Sequence, residues 1–200
     1  MFEMIIANLL GTLSLFYFLW KKLKDDYHFE KIFNLGFTIL SFQFVGILVS
    51  RFLLPQYWFW INLLLISIGF GFSVIRQKIK FFESFDGLVV GLLPWLGFYF
   101  FAEAIKNSSL VNFVGFWIVL MLVFIFLFLD SQYRKYTWYK SGKVGFSGVV
   151  TSFIFFLIRS ILGFFFAGLA SFSPNFESLF SGAFAFLFLL LLYRLATFKE

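Results

Sequence analysis

Two arginines of this chain stand inside apolar runs: Arg51 in Gly46-Ile47-Leu48-Val49-Ser50-Arg51, and Arg159 in Ile154-Phe155-Phe156-Leu157-Ile158-Arg159-Ser160-Ile161-Leu162-Gly163. A guanidinium surrounded by hydrocarbon is costly, so an arginine at membrane depth marks a functional site by default. Its planar fork of donors matches a phosphate or a carboxylate, and the pairing is favourable in a low dielectric only when well aligned. The acids expected on the same side as the two arginines, Glu3, Glu103 and Glu177, are the alternative to an external anion. Arg51 has a further explanation, since it can snorkel to the headgroups past Pro55.

Other chemistry is excluded by residue type. The chain has no Cys, hence no disulfide, no thiolate metal site and no cysteine nucleophile of its own. Its one His, His28, sits between Lys24 and Lys31 in a polar gap. Without a second His or a carboxylate at ligand spacing it reads as a solvated side chain, and no metal or other cofactor is expected. The net charge of +6 comes from residues that flank apolar runs. That distribution follows membrane topology and anionic headgroups, so no nucleic-acid partner is expected.

The elements that must position the arginines are membrane helices. With 62% hydrophobic and 13% charged residues, the chain is far from the roughly 25% charged composition of soluble domains. It reads as an all-α integral membrane protein. The 37 Phe are read as drift among residues that enter lipid with similar free energies. Taking roughly 20 apolar residues as one crossing, seven segments emerge: 4–20, 33–54, 57–75, 85–102, 111–129, 145–170 and 179–193. With no linker, soluble insertion or internal repeat, residues 1–200 form a single polytopic membrane domain.

All of the 16 Lys and Arg except Arg51, Lys106 and Arg159 fall in the gaps after the first, third, fifth and seventh segments. The positive-inside rule then predicts an outside N-terminus and a cytoplasmic C-terminus. Because Met1-Phe2-Glu3-Met4 offers no basic n-region, the first segment is expected to be a retained helix rather than a cleaved signal. Tyr57, Trp58 and Trp60 at one rim, and Tyr133, Tyr136, Trp138 and Tyr139 at the other, read as interfacial anchors. Gly87 with Gly91, and Gly163 with Ala167, are small-residue pairs that let helices approach closely. Pro94 removes a backbone hydrogen bond in the fourth segment, which is expected to kink or break there and, as the least regular segment, to line a cavity.

Depth follows from helical rise. At ~1.5 Å per residue from the cytoplasmic end, Arg51 comes about 27 Å along its helix and Arg159 about 22 Å along a tilted one. Both lie beyond the midplane of a ~30 Å hydrocarbon core. The outer leaflet is their expected environment, and a common cavity there is the expected geometry.

The stretch from Ser141-Gly142-Lys143 through Gly148-Val149-Val150 to Phe155-Phe156-Leu157-Ile158-Arg159-Ser160-Ile161-Leu162-Gly163 resembles the last-but-one helix of the prolipoprotein diacylglyceryl transferases. That helix carries a Tyr-x-x-x-Arg-Phe-hydrophobic-hydrophobic-Glu-Phe motif, and Arg159 falls on its arginine. Phe81-Phe82-Glu83-Ser84-Phe85-Asp86 is similar to the family's approach to its fourth helix. Pro94-Trp95-Leu96-Gly97-Phe98-Tyr99-Phe100-Phe101-Ala102-Glu103 overlays the family's Gly-Arg-x-Gly-Asn-Phe-x-Asn-Gly-Glu signature, keeping Gly97 and Glu103. Arg51 resembles the arginine of a second-helix Gly-x-Arg motif. The family signature's arginine is Trp95 here, and the glutamate that follows the sixth-helix arginine is Gly163.

The resemblance implies a multi-pass protein of the bacterial inner (cytoplasmic) membrane that moves diacylglyceryl from phosphatidylglycerol to the cysteine of a prolipoprotein. Its expected partners are that phospholipid and the prolipoprotein signal peptide. It assigns catalysis to Arg159 and Glu103, and substrate binding to Arg51, Arg159 and Gly97. Two other readings stand beside it: a non-catalytic phospholipid- or lipopeptide-binding membrane protein, and a small transporter or assembly subunit. Against transport, Asn34, Gln43, Asn62 and Asn112 are too few and scattered to line an aqueous path.

Overall fold

The computed structural model describes residues 2–132, 145–165 and 174–197. The anchors expected at Tyr133, Tyr136, Trp138 and Tyr139, the Ser141-Gly142-Lys143 stretch and Ala167 lie outside the described residues. Seven helices are long and apolar enough to cross a membrane: α1 (Phe2–Leu23), α2 (Phe29–Phe52), α3 (Trp58–Gln77), α4 (Phe81–Asn107), α5 (Leu110–Gln132), α6 (Phe146–Phe165) and α7 (Pro174–Thr197). No strand occurs among the described residues. Most helices overrun their apolar segments by about a turn, because a helix continues into the polar rim until a residue breaks it. Lys78 (φ 54°) and Ser108 (φ 49°) supply that break after α3 and α4 in left-handed conformations. Pro94 lies inside α4, which continues unbroken past it.

Small residues set the closest helix pairs. Antiparallel α1 and α4 pack most extensively, with Gly91 against Leu15 and Gly87 against Leu19. Trp95 covers Gly11, and its indole N–H donates to the Asn8 side chain at 3.1 Å. On the other flank α6 and α7 are joined by hydroxyls. Ser160 donates to the Ser178 carbonyl and Ser178 returns the bond to the Ser160 carbonyl, both at 2.8 Å. Interhelical hydrogen bonds of this kind are worth about 0.6–2 kcal/mol in a membrane.

Charged residues tie the helices at the end of the bundle that carries the α1–α2 and α3–α4 connections. Lys22 of α1 pairs with Asp130 of α5. Asp86 of α4, only 6% exposed, accepts the backbone N–H groups of Gly145 at 3.1 Å and Gly148 at 2.7 Å. A carboxylate borrowed from another helix thus satisfies two of the free N–H groups at the start of α6 and meets the positive end of its dipole. Nearby, the Tyr27 hydroxyl donates to Glu83 at 2.7 Å, and burial raises its pKa above the ordinary phenol value.

Helix α3 meets the rest of the bundle differently. Its backbone packs mainly against α2, and aromatic rings fill much of the remaining space. Phe70 packs on Phe81 (5.3 Å between centroids), Phe59 on Phe155 (6.1 Å) and Trp60 on Phe184 (5.4 Å), while Phe85 and Phe156 both stack on Phe188 at 6.0 and 5.8 Å. Many phenylalanines face outward, as drift on a lipid surface predicts, among them Phe37, Phe44, Phe124 and Phe128. Those of the seam stack on one another between the helices.

Candidate functional site

Arg159 points into the bundle. It sits some three turns along α6 from the end that Asp86 caps, and its guanidinium forms an ion pair with Glu177 in the first turn of α7. The pair is desolvated: the side chains are 11% and 1% exposed. Two aromatic residues at the start of α3 complete the enclosure. The guanidinium carbon lies 3.5 Å from the ring centroid of Phe59, within range for a cation–π contact worth about 2 kcal/mol when desolvated. The Trp60 indole N–H donates to the second Glu177 oxygen at 2.9 Å.

The carboxylate reaches this place because α6 is hollowed opposite it. A Cβ added at Gly163 would meet Glu177 Cγ at 3.1 Å, tighter than an ordinary contact. On the side of α4 and α5, Arg159 and Glu177 border a cavity of about 40 Å³ walled mainly by Phe100, Ile118, Phe155 and Leu162. Such a volume has room for roughly three waters. The Arg159 Nε is buried with no hydrogen-bond partner among the described residues. Unsatisfied buried donors are costly, so the guanidinium retains capacity for a further acceptor.

The other residues expected at the site lie elsewhere. Arg51 is exposed in the last turn of α2 and does not line the cavity. The expectation of one cavity shared by the two arginines is therefore corrected: Arg51 ends its helix, where the dipole favours a cation. Glu103 bonds to Asn107 and pairs with Lys106 at 3.6 Å, one turn beyond it on α4, and does not line the cavity. A Cβ at Gly97 would meet Val119 at an ordinary 3.5 Å, so Gly97 serves the α4–α5 contact. Trp95, at the position of the family's signature arginine, is packed into the α1–α4 interface.

Of the expected residues, then, only Arg159 stands at the site, and Glu177 is the acid that meets it. Phe59 and Trp60 were not expected there. Trp60 was read as a rim anchor, because hydropathy fixes the depth of a residue along a helix and says nothing about which side it faces. The one available signal was its register, Glu177 and Trp60 both opening helices at the same end. No protein-family model, curated protein or solved structure matches this chain. The likeness to the diacylglyceryl transferases rests on its residues alone.

Proposed function

We propose that this is a phospholipid-handling protein of the diacylglyceryl transferase type, in which Arg159 holds the phosphate of phosphatidylglycerol in the outer leaflet. The observation that carries the reading is the position of Glu177. The family motif places a glutamate one turn after its arginine, where this chain has Gly163, and the Glu177 side chain fills the space above Gly163. An arginine–carboxylate pair at that place is thereby restored from α7. In the same reading the basic end of the bundle faces the cytoplasm of a bacterial inner membrane, with the N-terminus outside.

The chemistry asks for two groups. The thiolate of a prolipoprotein cysteine attacks the glycerol carbon of the lipid that carries the phosphate ester; a C–S bond forms, the C–O bond breaks, and glycerol phosphate leaves. Arg159 stabilises the charge on that leaving phosphate. Glu177, the carboxylate at the site, takes the proton of the thiol. This role moves from Glu103, which stands beside Lys106 instead.

A second reading, a protein that binds phospholipid without turnover, is favoured by the placement of Trp95, which leaves Arg159 as the single cation lining the cavity among the described residues. Complementation separates the two. In a bacterial strain depleted of its own diacylglyceryl transferase, the wild-type chain should restore growth and Arg159→Lys should not, since a point charge does not reproduce the bidentate fork. Absence of growth from wild-type protein inserted at normal levels would sink the transferase reading.

A further inference from the structure

Two donors from different helices converge on one anion in this bundle. The Arg159 guanidinium comes from α6 and the Trp60 indole N–H from α3, and neither group can accept a hydrogen bond. Whatever lies between them must therefore supply acceptor oxygens and negative charge. In this structure the occupant is Glu177, a residue of the chain itself.

We infer that Glu177 is an internal stand-in for the ligand, so that the site is self-occupied at rest and a lipid phosphodiester enters by exchange with this carboxylate. The inference rests on the phospholipid reading of Arg159 and adds to it how the site is regulated. Three features make the exchange a movement of one side chain. The reciprocal Ser160–Ser178 hydrogen bonds clamp α6 to α7 immediately beside the pair, so the helices stay together. Gly163, where a Cβ would crowd Glu177 Cγ at 3.1 Å, leaves the glutamate side chain room to move. The cavity beside the pair is lined by Arg159, whose buried Nε has no hydrogen-bond partner among the described residues, and a phosphate oxygen there would supply one.

The arrangement also explains how a bare cation is tolerated at this depth. Breaking a buried pair strands a charge, whereas exchanging one oxyanion for another does not. A phosphodiester headgroup competes with the internal carboxylate, while a lipid without a phosphate has nothing to offer the fork. Affinity for phosphatidylglycerol is therefore set below its intrinsic value by the stability of the Arg159–Glu177 pair.

The test is lipid binding by purified full-length protein in neutral detergent, read as the phosphatidylglycerol concentration giving half-maximal thermal stabilisation. Diacylglycerol, which carries no phosphate and should not stabilise any form, and inorganic phosphate serve as parallel probes. Glu177→Gln keeps the shape and removes the competing charge; it should bind phosphatidylglycerol at least tenfold more tightly than wild type. Gly163→Ala, whose new methyl crowds Glu177, should bind more tightly than wild type by a smaller factor. Arg159→Gln should abolish the effect in either background.

If wild type binds phosphatidylglycerol through Arg159 but neither variant gains affinity, the exchange is overturned and the phospholipid reading stands. If binding by every form is indifferent to Arg159, both fall together. A gain confined to inorganic phosphate would overturn the lipid as the exchanging ligand.

Discussion

Arg159 and Glu177 are a desolvated pair, so removing one partner is expected to cost far more than removing both. Arg159→Leu strands a carboxylate that is 1% exposed and should destabilise the protein by roughly 3–5 kcal/mol, whereas the double change to leucines should be near neutral. Thermal unfolding in detergent of the single and double variants checks this; equal losses for Arg159→Leu and the double variant would mean that the stranded carboxylate costs nothing. Trp60→Phe keeps the ring stacking and removes one hydrogen bond to the carboxylate, a loss of about 1.5–3 kcal/mol. Arg159 was legible in the sequence because a charge among Phe, Leu and Ile stands out without any model of the fold. Its partner was legible only as one of three acids, and the choice among Glu3, Glu103 and Glu177 depended on how α6 and α7 rotate against each other. No local pattern records that rotation.

At the level of helices, the contacts that set α6 lie at its start. Asp86→Ala removes two charge-assisted hydrogen bonds to Gly145 and Gly148 and should cost roughly 2–3 kcal/mol. Because the cap fixes where α6 begins, the same variant should also weaken Arg159-dependent phosphatidylglycerol binding. Asp86→Asn, which keeps an acceptor oxygen, should lose less of both. If Asp86→Ala lowers stability and leaves lipid affinity at the wild-type value, the cap does not set the register of Arg159. Gly91→Leu drives a branched side chain into Leu15 of α1 and should destabilise by about 1–3 kcal/mol. The Gly87–Gly91 pair was readable as a helix contact from spacing alone. That it meets α1, rather than a neighbour in sequence, was not, since a small-residue stripe carries no address.

For the whole molecule, the seven-helix architecture was readable because apolar length alone decides which segments cross a membrane. Orientation remains with the charges. The described Lys and Arg at the end bearing the α1–α2 and α3–α4 connections include Lys21, Lys24, Lys31, Arg76 and Lys78, against Lys106 and Arg51 at the other. Since the chain has no native Cys, single cysteines report cleanly. A cysteine at Lys106 should react with an impermeant thiol reagent in intact cells, and cysteines at Lys24 and Lys78 should not. The opposite labelling would put Arg159 in the inner leaflet and remove the outer-leaflet lipid from its reach.

The α1–α4 interface has a consequence for how the protein is made. Ser14 and the Gly91 carbonyl it meets are 77 residues apart in the chain. At a synthesis rate of about 5–20 residues per second, α1 waits on the order of ten seconds in the bilayer before its partner exists. Throughout that interval its Gly11 and Ser14 face has only lipid, or some helper protein, to lie against. The hairpins α2–α3 and α6–α7, by contrast, form between neighbours as soon as each second helix emerges. A ribosome stalled after α3 would therefore leave α1, the helix on which membrane quality control would act first, held only by its smaller contact with α2, through Phe16 on Phe33 and Gly36.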